Sequence, residues 1–116
     1  MSINLRSITW MGSSLDDLKK LPMAVQRGTG FSLHQVQEGE TPSNAKPLKG
    51  LGTGILEIVS DYNKNTYRAV YAVKLGDDVY VLHVFQKKLK HGIAMPKQEI
   101  DLIKNRLALA KKDSKI

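Results

Sequence analysis

No cysteine occurs in the 116 residues, which removes disulfides, thiolate nucleophiles and sulfur-ligated metal sites together. Any catalysis must therefore use nitrogen and oxygen groups, and the lack of thiols is compatible with a reducing cytosol. There is no uninterrupted apolar run near the ~20 residues that a membrane helix needs. There is also no signal-peptide pattern, no internal repeat and no coiled-coil heptad. What is present is ordinary for a soluble globular protein, with 41% hydrophobic and 25% charged residues. The length suits one domain over residues 1–116, able to bury roughly two-thirds of the surface of its unfolded chain.

The net charge of +7 is unevenly placed. Up to residue 43, Arg6, Lys19, Lys20 and Arg27 balance Asp16, Asp17, Glu38 and Glu40, so the remainder carries the whole excess. Between Asp78 and Glu99 stand Lys87, Lys88, Lys90, Lys97, His83 and His91 with no acid among them. Such a segment projects a positive field over one region of the surface. It reads either as a solvated basic face or as a nucleic-acid site, and clustering at one strand end favours the second.

Along the chain, Ser7 to Met11 reads as a short strand. Ser13 or Ser14 then caps a helix, with Asp17 completing a weak capping box and Leu15, Leu18 and Leu21 as its apolar stripe. Pro22 opens a second helix in which Val25, Phe31 and Val36 face a core and Gly39 ends it. Gly28 and Gly30 inside it imply a bend, a close contact or a break. Residues 40–54 are turn-forming throughout and read as a long surface loop. Ile55 to Val59, Tyr67 to Val73 and Val79 to Lys88 follow as strands of an antiparallel meander, since a parallel sheet needs crossover helices for which no room exists. Pro96 opens a C-terminal helix, with Glu99 and Asp101 near its positive end, Lys111 and Lys112 near its negative end, and Ile100, Ile103, Leu107 and Ala110 on its buried side. The fold class is α+β: an N-terminal helical hairpin packed on a small antiparallel sheet, then a C-terminal helix.

The two strands across Gly76-Asp77 carry the chemistry. One cation, Arg68, sits inside the first, and Lys87 and Lys88 close the second, so the hairpin gathers cations around a phosphate: an RNA-cleaving layout, or an anion-binding one.

The ordered set Lys46-Pro47-Leu48-Lys49-Gly50-Leu51-Gly52, Glu57, Tyr67-Arg68-Ala69-Val70-Tyr71, Val81-Leu82-His83-Val84-Phe85-Gln86-Lys87-Lys88 and Pro96-Lys97-Gln98-Glu99-Ile100 resembles the HigB-like branch of the RelE/ParE toxin superfamily. The resemblance runs from about Leu15 to Leu109. It implies a RelE/ParE-like fold and the toxin of a type II toxin–antitoxin pair that cuts messenger RNA on the ribosome. It also implies silencing by a helix-turn-helix, HigA-like antitoxin, in a complex that binds operator DNA. Two alternatives stay open: a ParE-like, non-catalytic inhibitor of DNA gyrase, and a basic RNA- or DNA-binding module.

RNA cleavage by the ribose 2′-hydroxyl sets three tasks: removing a proton, neutralising the pentacoordinate phosphorus and protonating the leaving oxygen. It needs no metal and no cofactor. Arg68 suits the second task, because its planar guanidinium grips two oxygens; its structural alternative is a strand arginine paired to Glu57. Lys87 is chosen ahead of Lys88 because it shares parity with His83 and Phe85. His83 reads first as a packed core residue and second as an acid or base. Glu57 is a base or the orienting partner of Arg68. Lys49, Lys88, Lys90 and Lys97 are the candidates for holding RNA backbone. Tyr67, Tyr71 and Tyr80 read as packing before they read as base-stacking groups.

Overall fold

The fold comes from a computed structural model that describes residues 4–87 and 95–115. The elements run β1 (Ile8–Trp10), α1 (Ser14–Lys19), α2 (Met23–Gln37), β2 (Ala45–Pro47), β3 (Ile55–Tyr62), β4 (Asn65–Ala72), β5 (Val79–Lys87) and α3 (Lys97–Ser114). One five-stranded sheet has the order β1-β5-β4-β3-β2.

The meander over β3, β4 and β5 is antiparallel, as its alternation predicts. Two additions make the sheet larger than expected and mixed. β1 pairs with β5 in parallel, with Trp10 opposite Val81, against the expectation of a purely antiparallel sheet, because α1, α2 and the strands between them and β5 together supply the crossover. Ala45–Pro47, expected as loop, pairs with β3 as an edge strand, where Pro47 can lack its amide without breaking a central ladder.

Both faces of the sheet are covered, which explains why β4 and β5 read as nearly continuous apolar runs. On one face Leu18 of α1 and Leu33 and Val36 of α2 pack against Ile58, Tyr71 and Val81. On the other, Ile103, Leu107 and Ala110 of α3 pack against Val70, Ala72 and Leu82. At about 25 cal/mol per Å² of apolar burial, these two clusters dominate folding. Tyr67, Tyr71 and Tyr80 are buried, so the packing reading of the tyrosines holds.

α2 runs unbroken through Gly28 and Gly30, neither of which approaches a neighbour closely. Its buried side carries Val25, Thr29, Ser32, Leu33 and Val36. Phe31, expected in the core, is 66% exposed, because at 100° per residue it falls on the far side from that stripe. The capping expectation also shifts: Ser13 precedes α1, and its hydroxyl donates to the Asp17 carboxylate at 2.7 Å rather than capping a backbone amide.

Candidate functional site

The site is built on the α3-facing side of β3, β4 and β5. Arg68 lies opposite Phe85 and Val70 opposite His83, so all four side chains share one face. Between Val70 and Tyr71 the register slips. This bulge leaves Leu82 and His83 both on the α3 side, and it frees the Leu82 carbonyl, which accepts from Arg106 Nη1 at 3.0 Å. Lys87, opposite Thr66, continues the alternation, as its parity with His83 and Phe85 predicts.

Two ion pairs organise this face. Arg68 Nη1 donates to Glu57 Oε2 at 3.1 Å, and Lys46 Nζ stands 3.7 Å from Oε1 of the same carboxylate. Glu57 is the deeper partner, its side chain 3% exposed against 11% for Arg68. A buried carboxylate with two cations is a fixed anchor, and its effect is to aim the guanidinium. Arg68 Nε is buried without a hydrogen-bond partner among the described residues.

In the second pair, Glu99 of the first turn of α3 accepts from His83 Nε2 at 2.8 Å. With the glutamate ionised, Nε2 carries the imidazole proton. In the neutral ring that burial favours, His83 Nδ1 is an unprotonated acceptor, buried and unpartnered among the described residues. The ring stacks on Phe85, with centroids 4.5 Å apart. Burial pushes the His83 pKa below its ordinary value; Glu99 and Asp17 oppose that shift and Arg106 reinforces it. The histidine side chain is 7% exposed and the glutamate 28%, so Glu99 is the member that solvent reaches.

His83, Glu99 and Lys87 line one cavity of about 500 Å³, together with Asp17, Phe85 and Gln98. Arg68 does not line it; its guanidinium bonds to Glu57 of β3, the strand on the other side of β4 from β5. Of the other predicted residues, Lys97 is the exposed first residue of α3, and Lys49 borders a separate hollow with Lys104. Lys88 and Lys90 lie outside the described residues.

Sequence reasoning missed two contributors. Glu99 read only as a complement to the dipole of α3, although its place three residues after Pro96 also marks it as a first-turn acid free to reach the sheet. Arg106 bridges three elements: besides the Leu82 carbonyl it donates through Nη2 to Ser13 Oγ at 3.0 Å. Its guanidinium lies over Gly12, where a Cβ would stand 2.6 Å from Arg106 Nε and where φ is +54°. The positive φ favours glycine there, and a Cβ would displace the Arg106 guanidinium from this position.

Among the described residues no three His, Asp or Glu side chains are grouped to hold a metal ion, and no helix is long and apolar enough to cross a membrane.

The chain matches the phage-derived Gp49-like protein family (DUF891) over residues 16–108 and belongs to that family. The matched span runs from α1 into α3 and includes every residue of both ion pairs. No curated protein and no solved structure gives a significant match.

Proposed function

We propose that this Gp49-like protein is the toxin of a type II toxin–antitoxin pair, with a RelE/ParE-like fold, and that it cleaves messenger RNA on the ribosome without a metal. The carrying observation is that an arginine aimed by a buried carboxylate shares one sheet face with a histidine–glutamate pair opening into a cavity. Membership of a phage-derived family and the basic second half of the chain support the same reading.

In this mechanism Arg68 holds the scissile phosphate and stabilises the extra charge of the pentacoordinate state, with Glu57 orienting it. Glu99 takes the proton of the ribose 2′-hydroxyl as that oxygen bonds to phosphorus, and His83 fixes the direction of the carboxylate. The bond from phosphorus to the 5′-oxygen breaks, and that oxygen takes a proton from Lys87. The products are a 2′,3′-cyclic phosphate and a free 5′-hydroxyl. The proposed partners are a HigA-like, helix-turn-helix antitoxin, the ribosome and messenger RNA, with operator DNA bound by the toxin–antitoxin complex.

One observation favours a non-catalytic reading, as a gyrase inhibitor or basic nucleic-acid module: Arg68 is already ion-paired and largely covered. Inducible expression with mapping of messenger RNA 5′ ends decides between them. Codon-phased cuts support ribosome-dependent cleavage; intact transcripts with DNA-damage signalling overturn it.

A further inference from the structure

Lys97, Lys104 and Lys111 recur at every seventh residue of α3, so they line one edge of the helix at steps of about 10 Å. Glu99, Arg106 and Asp113 face the opposite flank, bonded to His83, the Leu82 carbonyl and Tyr80. Asp101, exposed, stands on the lysine edge itself, four residues after Lys97 and three before Lys104, and is the one acid of α3 there.

The lysine edge overlooks a furrow whose other wall is the connection between β2 and β3. In its first part, a hollow of about 220 Å³ separates Lys104 from Lys49, over a floor of Leu48, Leu51 and Ile100. In its second part, a hollow of about 340 Å³ separates Lys111 from Lys74, bordered by Gly52, Thr53 and Leu107. Leu51 lines both hollows, so the two adjoin at that residue. Lys74 is held against its wall by Gly54: a Cβ there would stand 2.7 Å from Lys74 Cγ, and φ at Gly54 is +77°. The lysine stem therefore lies along the glycine.

We propose that this furrow is a track for one strand of RNA, its phosphates held first between Lys49 and Lys104 and then between Lys74 and Lys111, on the same side of the sheet as the Arg68 site. The proposal rests on the reading of the chain as an RNA-cleaving protein and adds the path of the substrate. Lysines facing each other across a furrow suit a single backbone, which presents phosphates to both walls. Among the described residues the floor holds leucine and isoleucine and no aromatic ring, so the hold they provide is electrostatic and tolerant of sequence. Lys104 and Lys111 stand about 10 Å apart along the helix, so the two lysine pairs hold the phosphates of a short segment, at or below the low end of the ~4–16 nucleotides that single-strand grooves cover.

The test uses the full chain and a fluorescent single-stranded deoxyoligonucleotide of about six nucleotides, which lacks the 2′-hydroxyl and cannot be cut by the proposed mechanism. Anisotropy is followed across a potassium chloride series for wild type, Lys104→Gln, Lys111→Gln, Lys74→Gln, Arg68→Ala and Lys19→Gln, the last lying on α1 away from the furrow. Each furrow substitution should flatten the slope of log affinity against log salt by about 0.7, and Lys19→Gln should leave it unchanged. Arg68→Ala should slow RNA cleavage by about 10²–10³ yet keep most of the oligonucleotide affinity, so failure of the cleavage reading and failure of the track are distinguishable. The track is overturned if wild type does not bind the probe, or if the furrow variants keep the wild-type slope. It is equally overturned if duplex DNA or a polyglutamate peptide of equal charge binds as tightly as the single strand.

Discussion

Glu99 of α3 accepts a 2.8 Å hydrogen bond from His83 of β5, and the glutamate is the more exposed of the two. The burial of His83 fits the first of its two sequence readings, a packed residue, and it is the carboxylate that faces solvent. Glu99→Gln should therefore lower cleavage by about 10²–10⁴, the usual worth of a general base, while the chain stays folded. Full activity in a folded Glu99→Gln variant excludes the carboxylate as base.

The same pair predicts a pH dependence whose sign is fixed. Burial holds the His83 pKa below 6.5, so the folded state prefers the neutral ring and the unfolded state binds the proton more readily. The stability this contributes is complete above 6.5 and is lost as pH falls from there toward the lower folded value. Denaturant unfolding at about pH 7.5 and about pH 5.5 should show less stability at the lower pH, and His83→Asn should shrink the difference. Titration of the ring proton by NMR gives a second check. Glu99→Gln should depress the His83 pKa further and Arg106→Gln should raise it, because the two groups act on it in opposite directions. Shifts of the same sign in both variants contradict the geometry.

Arg68 is tested by charge and by shape separately. Arg68→Ala should cost about 10²–10³ in cleavage rate, as for the loss of one oxyanion donor. Arg68→Lys should also be impaired, because the charge remains while the fork that grips two oxygens is gone. Glu57→Gln should reduce activity through Arg68 and also destabilise the fold, since it leaves Arg68 and Lys46 facing a neutral buried amide. Single-turnover cleavage and denaturant unfolding on the same samples separate the two effects.

The parts of this fold legible in the sequence are those governed by local period. The alternation in β4 and β5 gave the shared face of His83, Phe85 and Lys87, and the pairing of Arg68 with Glu57 was one of the two readings open for that arginine. The apolar positions Ile103, Leu107 and Ala110 gave the buried side of α3. What was not legible depends on contacts between distant residues. Glu99 meets His83 across 16 residues, and β1 meets β5 across most of the chain. β2 has only three residues, one of them proline, too short for alternation to register. Phe31 was misplaced because a large apolar residue in a helix reads as core, although its angle away from Val25 and Val36 put it on the solvent side.

Those misreadings in α2 lead to a last prediction, about stability alone. Leu33 is 1% exposed and packs in the core shared with Val36 and Tyr71, so Leu33→Ala should cost about 2–5 kcal/mol through lost transfer energy and the cavity left behind. Phe31, one turn of thought away in sequence but on the outer surface, should tolerate Phe31→Ser within about 0.5 kcal/mol, since serine and phenylalanine have similar helix propensities. Gly30 lies in the helix interior with open space where its Cβ would be. Gly30→Ala should therefore stabilise the chain by about 0.5–1 kcal/mol, by removing backbone freedom from the unfolded state. Urea unfolding of the three variants checks the set: a large loss for Phe31→Ser, or no gain for Gly30→Ala, means that this face of α2 is packed against something in the folded protein after all.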